Sequence, residues 1–217
     1  MTGPHEEQPV VQAGLPLGTG TGVVVMVHGR GAGPANILDL VPRLDRPGFT
    51  YLAPTAAGRT WYPNSFMADT ATNEPWLSSA LRALDRVVSE AIARGVATER
   101  IVLLGFSQGA CLMSEYAAGH AARYGGVVIF SGGLIGPPGT AWNYGGSFDG
   151  TPVFLGCSDP DAHVPRARVE ESAAVFTRMG ASVDMRVYPG MGHLVNDDEV
   201  SAARELLDSV GRARGDR

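Results

Sequence analysis

Along this chain, short β-branched and apolar runs alternate with longer stretches whose apolar residues recur every three or four positions. The runs predict strands at Val23–His28, Phe49–Ala53, Ile101–Gly105, Val127–Ser131, Pro152–Gly156 and Val183–Tyr188. Several are apolar at almost every position, as strands buried on both faces are. The periodic stretches predict helices over 34–45, 76–94, 108–121, 166–179 and 197–213. In the second of these, Leu77, Leu81, Leu84, Val88 and Ile92 fall at helical spacing and define a face to be buried. Residues 8–14 form a candidate edge strand. Strand alternating with helix implies right-handed crossovers and a mostly parallel sheet covered on both faces, an α/β architecture. No repeat, heptad array or linker divides the chain. Residues 1–217 are therefore expected to form a single domain, with residues 1–7 as a flexible tail.

Two connections are long for this architecture. Residues 54–75 carry Trp61, Tyr62, Phe66 and Met67, and residues 132–151 carry Trp142, Tyr144 and Phe148. Both follow predicted strands, and ligands of open α/β sheets bind beyond the carboxyl ends of the strands. Trp61, Tyr62, Phe66 and Trp142 are thus candidates to line a substrate cleft. The second connection has room for a loop but not for a helical lid. The expectation is an open, shallow cleft with no large cap domain, suited to short- or medium-chain substrates.

Apolar residues make up 44% of the chain and charged residues 18%, as in globular proteins generally. The net charge of −5 and the lack of a basic cluster argue against a nucleic-acid partner. The first residues, MTGPHEEQPVVQAG, lack the basic and apolar regions of a signal peptide, and runs such as VVVMV at 23–27 are too short to span a bilayer. Cys111 and Cys157 make neither a metal set nor a disulfide framework. The expectation is a cytoplasmic protein without stable membrane insertion. A homodimer is compatible with the sequence, which carries no surface pattern that demands one.

The chemistry concentrates at residues 101–118, IVLLGFSQGACLMSEYAA. Ser107 stands between Gly105 and Gly109, after an apolar run and before an amphipathic one. This is the strand–turn–helix context of the G-x-S-x-G nucleophile motif. A serine there occupies a sharp, strained turn that lifts its hydroxyl above the sheet edge, and glycines two residues to either side avoid a clash. Serine alone is a poor nucleophile near neutral pH. It needs a base, and the base needs an orienting acid, in the chain order Ser, Asp or Glu, His.

Of the five histidines, His5 lies in the tail, His28 precedes the serine and His120 sits on the helix after it. His163 lies in the acid loop itself. His193, in VYPGMGHLVNDDE, follows the last predicted strand and precedes the last helix, and it is the candidate base. The acid is expected after Pro152–Gly156, in CSDPDAHVPRAR, where spacing leaves both Asp159 and Asp161 open. An oxyanion hole needs two donors. The backbone N–H of Gln108, next to the nucleophile, is one candidate. The N–H of Arg30, in the glycine-rich turn of VVVMVHGRGAG, is the other. For the Arg30 side chain the sequence leaves two readings open, contact with an acidic substrate or simple solvation, and the expectation is solvation.

VHGRGAG, GFSQGA, SDPDAHVP and YPGMGH, in this order, resemble the phospholipase/carboxylesterase family of α/β-hydrolases, which includes the acyl-protein thioesterases. The resemblance runs from about Val23 to the final helix. It implies the α/β-hydrolase fold and a serine esterase that needs no metal or organic cofactor. The family's acid loop reads D-x-x-V-P, and Asp161-Ala162-His163-Val164-Pro165 matches it, so the resemblance selects Asp161. It also implies Arg30 and Gln108 as the oxyanion-hole residues. The stretch Trp61-Tyr62-Pro63-Asn64-Ser65-Phe66 departs from that of the acyl-protein thioesterases. The related dienelactone hydrolases tend to use a cysteine where this chain has Ser107.

The expected activity is carboxylesterase action on a small-molecule ester. The same triad could serve a thioesterase, a lysophospholipase or a C–C bond hydrolase. The fold could also carry a non-catalytic binding protein, although such a protein has no need of all three residues.

Overall fold

In the computed structural model, which describes residues 3–212, the apolar runs pair into one seven-stranded sheet. The strands are β1 (Val10–Gly14), β2 (Gly22–Val27), β3 (Phe49–Pro54), β4 (Ile101–Phe106), β5 (Gly126–Phe130), β6 (Pro152–Ser158) and β7 (Ser182–Tyr188), in the spatial order β1-β3-β2-β4-β5-β6-β7. Only β1 is antiparallel, pairing with β3 from Val10 opposite Pro54 to Gly14 opposite Thr50. The rest of the sheet is parallel, with Val27 of β2 opposite Gly105 of β4, and Phe106 of β4 opposite Phe130 of β5. That register brings the carboxyl ends of β2, β4 and β5 to one edge, where the functional loops emerge.

Helices cover both faces. Helices α1 (Pro34–Leu38), α2 (Val41–Leu44) and α6 (Asp197–Arg212) pack on one side, and α3 (Trp76–Ala93), α4 (Gln108–Gly119) and α5 (Arg166–Arg178) on the other. The central strands serve both layers. Val23, Val25 and Val27 of β2 belong to the core beneath α3, α4 and α5, while Val24 and Met26 belong to the core beneath α1, α2 and α6. This two-sided burial is why β2 is apolar at every position but its first. The result is the α/β-hydrolase arrangement without a large inserted cap.

Local departures from the expected pattern have identifiable causes. The single helix expected over 34–45 is two short ones. Pro42, at the start of α2, has no N–H to continue the hydrogen-bond ladder, and the chain leaves α2 through Asp45 in the left-handed region (φ 49°). In α3 the buried face is Leu77, Ala80, Ala83, Leu84, Val87, Val88 and Ala91. Ile92 falls outside it and is 46% exposed. The last helix ends at Arg212; residue 213 lies outside the described residues.

The expected N-terminal tail is anchored where the structure describes it. His5 is 1% exposed, its backbone N–H donates to Ser79 Oγ at 2.9 Å, and its ring bridges Trp61 O and the Ala57 N–H. Nδ1 accepts from Ala57, so Nε2 carries the proton given to Trp61. Lone polar residues near a chain start read as tail in sequence; here an imidazole satisfies two buried backbone groups of a distant loop.

Candidate active site

Ser107 sits between β4 and α4 at φ 57°, ψ −124°. A non-glycine residue held there costs about 1–3 kcal/mol and persists only where its surroundings over-determine it. Here they do. The Ser107 N–H donates to Phe130 O at 3.0 Å, and its carbonyl accepts from Cys111 N at 3.0 Å. A Cβ on Gly109 would lie 2.2 Å from Val27 O, and one on Gly105 would lie 2.6 Å from Gly109 O. The two glycines let β4, α4 and β2 close around the turn, as expected from the motif.

The loop after β7 brings His193 to this turn. His193 Nε2 lies 2.7 Å from Ser107 Oγ, and Nδ1 lies 2.7 Å from Asp161 Oδ2. The partners assign the tautomer: Nδ1–H donates to the carboxylate, which leaves Nε2 to accept the serine hydroxyl. The Asp161 side chain is 0% exposed. Burial works to raise its pKa. Hydrogen bonds from His193 and from the backbone N–H groups of His163 and Val164 outweigh it and hold the carboxyl below its ordinary value. Asp159, the alternative left open by spacing, instead accepts from Gly190 N at 2.8 Å and fixes the start of the His193 loop. Ser158 Oγ accepts from Gly192 N at 2.9 Å in the same loop.

Two rings missed from sequence flank the imidazole. Phe106 lies 5.1 Å from the His193 ring centroid, and His163 lies 4.7 Å away, edge-on. Phe106 occupies the variable position of the G-x-S-x-G motif, so its place was legible even though its partner was not. The arrangement confines the ring between a hydroxyl and a carboxylate, the geometry in which an imidazole can take a proton from one while its charged form is held by the other.

Gly29 follows β2 and packs against the serine, so that a Cβ there would sit 3.3 Å from Ser107 Cβ. Arg30 comes next, and its N–H donates to no protein group among the described residues. Gln108 is the first residue of α4, where a backbone N–H has no intrahelical acceptor. The Gln108 side chain has a task of its own. Oε1 accepts from Trp61 N at 2.9 Å and Nε2 donates to Tyr62 O at 2.7 Å, tying α4 to the 54–75 loop. The Arg30 side chain is not simply solvated: Nη1 and Nη2 donate to Pro63 O and Asn64 O, each at 2.7 Å.

The cleft above Ser107 has a volume of about 740 Å³. Of the four aromatic candidates, Tyr62 and Phe66 line it, and Trp61 and Trp142 do not. Trp61 is 0% exposed, donates from Nε1 to His28 O at 2.8 Å and packs against the His5 and His28 rings. Trp142 donates to Ile135 O and covers the Arg168 guanidinium at 4.9 Å.

Arg168, itself buried, donates to Leu134 O and Gly136 O, and Gly136 N reaches Phe66 O at 2.8 Å. The 132–151 loop therefore supports the 54–75 loop from below rather than edging the cleft. Cys111 borders the cleft from α4, and burial pushes its thiol up to about 12, so it stays protonated. Both cysteines are buried and unpaired. Among the described residues, no cluster of three or more His, Cys, Asp or Glu is placed to hold a metal ion, and no helix is long and apolar enough to cross a membrane.

Known proteins place this geometry in context. A model of the phospholipase/carboxylesterase family matches residues 9–210. The crystal structure of a phospholipase/carboxylesterase from Dyadobacter fermentans DSM 18053 is 41% identical in sequence and superimposes with a TM-score of 0.89 over 93% of this chain and 96% of that one. Acyl-protein thioesterase 1 of Eremothecium gossypii is 28% identical over 210 residues, 85% of this chain and 88% of the relative. A putative carboxymethylenebutenolidase of Salmonella typhi is 29% identical over 178 residues, 75% of this chain and 63% of the relative. The chain belongs to the phospholipase/carboxylesterase family and is a hydrolase of the α/β-hydrolase fold.

Proposed function

We propose that the protein is a serine carboxylesterase that cleaves short- to medium-chain carboxylic esters through an acyl-enzyme on Ser107. The observation that carries this reading is the unbroken hydrogen-bond chain from Asp161 through His193 to Ser107 at the floor of an open cleft. In the proposed reaction His193 Nε2 takes the Ser107 proton as Oγ attacks the ester carbonyl. Asp161 holds the ring and stabilises its charged form. The N–H groups of Arg30 and Gln108 receive the developing oxyanion, each worth about 10²–10³ in rate. Collapse expels the alcohol, which takes the proton from His193, and a water activated by the same nitrogen releases the acid.

The test is initial rates on p-nitrophenyl esters from acetate to palmitate, with Ser107→Ala alongside. Serine-dependent turnover that peaks at short acyl chains is expected, with the variant folded and inactive. A peak at long chains would reassign the substrate class to lipids or acyl-proteins. Undiminished turnover by Ser107→Ala would remove the serine from the mechanism.

A further inference from the structure

The cleft has an electrostatic asymmetry that the hydrolytic machinery does not require. The chain carries 22 Asp and Glu residues against 17 Lys and Arg, yet among the described residues no acidic side chain lines the cleft, and the one Lys or Arg that does is Arg30. The Asp161 carboxylate, beside the lining residues 162–164, is shielded: its side chain has no exposed surface, and its oxygens are occupied by His193 and two backbone N–H groups. His163 and Asn64 extend the polar part of the lining without adding negative charge.

Arg30 is also held in place. Its two bonds to the Pro63 and Asn64 carbonyls fix the guanidinium at the mouth of the cleft, and Tyr62 lies 6.0 Å away under it. A guanidinium has five N–H donors, and two are used here, so three have no protein acceptor among the described residues. The side chain is exposed, and its hydrogen bonds go to backbone carbonyls, with no carboxylate paired to it among the described residues. A cation already ordered by backbone carbonyls gives up little further freedom when it binds an anion.

We propose that Arg30 makes this site selective for esters that also carry a carboxylate. A guanidinium fork can hold a carboxylate through two parallel N–H···O bonds, and the one arginine of the lining balances one negative charge. Because Arg30 follows Gly29, which packs against Ser107, the anion must lie within one arginine side chain of the scissile carbonyl. The substrates are therefore small: half-esters of dicarboxylic acids, or acyl esters of hydroxy acids. This inference rests on the esterase reading above and specifies the substrate of the same cleft.

The test compares kcat/KM by pH-stat for two pairs of esters that differ in charge alone. Monomethyl succinate against methyl succinamate places the anion on the acyl side. Acetoxyacetate against acetoxyacetamide places it on the leaving side. The native enzyme is expected to favour the anion in at least one pair. That ratio should fall about tenfold in Arg30→Gln and less in Arg30→Lys. It should also shrink as salt rises, because the guanidinium is exposed.

Taking the ratio within each variant cancels any effect of the substitution on the oxyanion N–H or on the 63–64 loop. Equal treatment of both pairs by the native enzyme, or a native ratio in Arg30→Gln, overturns the proposal. If p-nitrophenyl esters are cleaved but neither pair is, titration calorimetry of Ser107→Ala with monomethyl succinate decides. Binding that disappears in Ser107→Ala/Arg30→Gln supports the proposal, and binding that is absent or unchanged overturns it. Anion binding that depends on Arg30, without serine-dependent hydrolysis of any ester, would instead sink the esterase reading alone.

Discussion

Glu199 stands in the first turn of α6 with no exposed surface, in a chain that otherwise keeps nearly all its charges wet. Its Oε2 accepts from Asn196 N at 2.9 Å, and no donor among the described residues reaches Oε1. The carboxyl packs over β6 so closely that a Cβ on Gly156 would come within 2.1 Å of it. Burial, with some help from Asp198, pushes its pKa up to about 7. A carboxyl whose folded pKa exceeds its unfolded one binds more protons when folded. Glu199 should therefore make stability fall as pH rises from the ordinary glutamate range through about 7. Glu199→Gln removes that dependence. Relative to the native protein, the variant is expected to gain on the order of 1–3 kcal/mol between about pH 5 and about pH 8. Urea midpoints of both proteins at the two pH values measure it. A constant difference between them would show that the carboxyl ionises without penalty.

The element that organises the site is the strand–turn–helix from β4 to α4, and it acts beyond its own residues. The Gln108 side chain fastens the Trp61–Tyr62 backbone to the start of α4, while Asn73 fastens the same loop further on, accepting from Asn64 N and donating to Ser65 O. The loop wall of the cleft is thus hydrogen-bonded to the helix that follows Ser107. Gln108→Ala keeps the backbone N–H but leaves the buried Trp61 N–H without an acceptor. The expected cost is about 1–3 kcal/mol, with faster amide exchange at Trp61 than at Leu103 in β4. Native-like protection at Trp61 in the variant would mean that the loop is held by packing alone.

At the scale of the whole fold, six parallel strands bring their carboxyl ends to one edge, and among the described residues no helix crosses the cleft above Ser107. The second long connection, which could have formed a cover, is bound beneath the first through Arg168, Phe66 and Trp142. An enzyme without a lid has no closed state for a lipid surface to open. Rates on a sparingly soluble ester are therefore expected to follow simple saturation, with no jump as the substrate passes its solubility limit. A jump at that limit, measured by titration of tributyrin hydrolysis, would reveal a moving cover.

Local pattern encodes the part of this protein that can be read along the chain. Apolar runs at every position marked the double-faced strands, and helical periodicity marked the helices. The glycines around Ser107 marked the strained turn, and chain order singled out His193. These features depend on a few neighbouring residues, so they survive in one dimension. Other features depend on which segments meet across the fold. Spacing left Asp159 and Asp161 equivalent; the family resemblance favoured Asp161, and the fold brings Asp161 to His193 across 32 residues while Asp159 braces Gly190. Trp61 and Trp142 looked like cleft residues because aromatic loop positions carry no mark of which way they turn. Trp61 instead meets His28 and His5, and Trp142 meets Arg168. Arg30 looked solvated because its partners, the carbonyls of Pro63 and Asn64, lie more than 30 residues on and are backbone groups that every residue type shares. Periodicity tells a residue whether it will be buried; only closure of the sheet and its loops sets what it will be buried against.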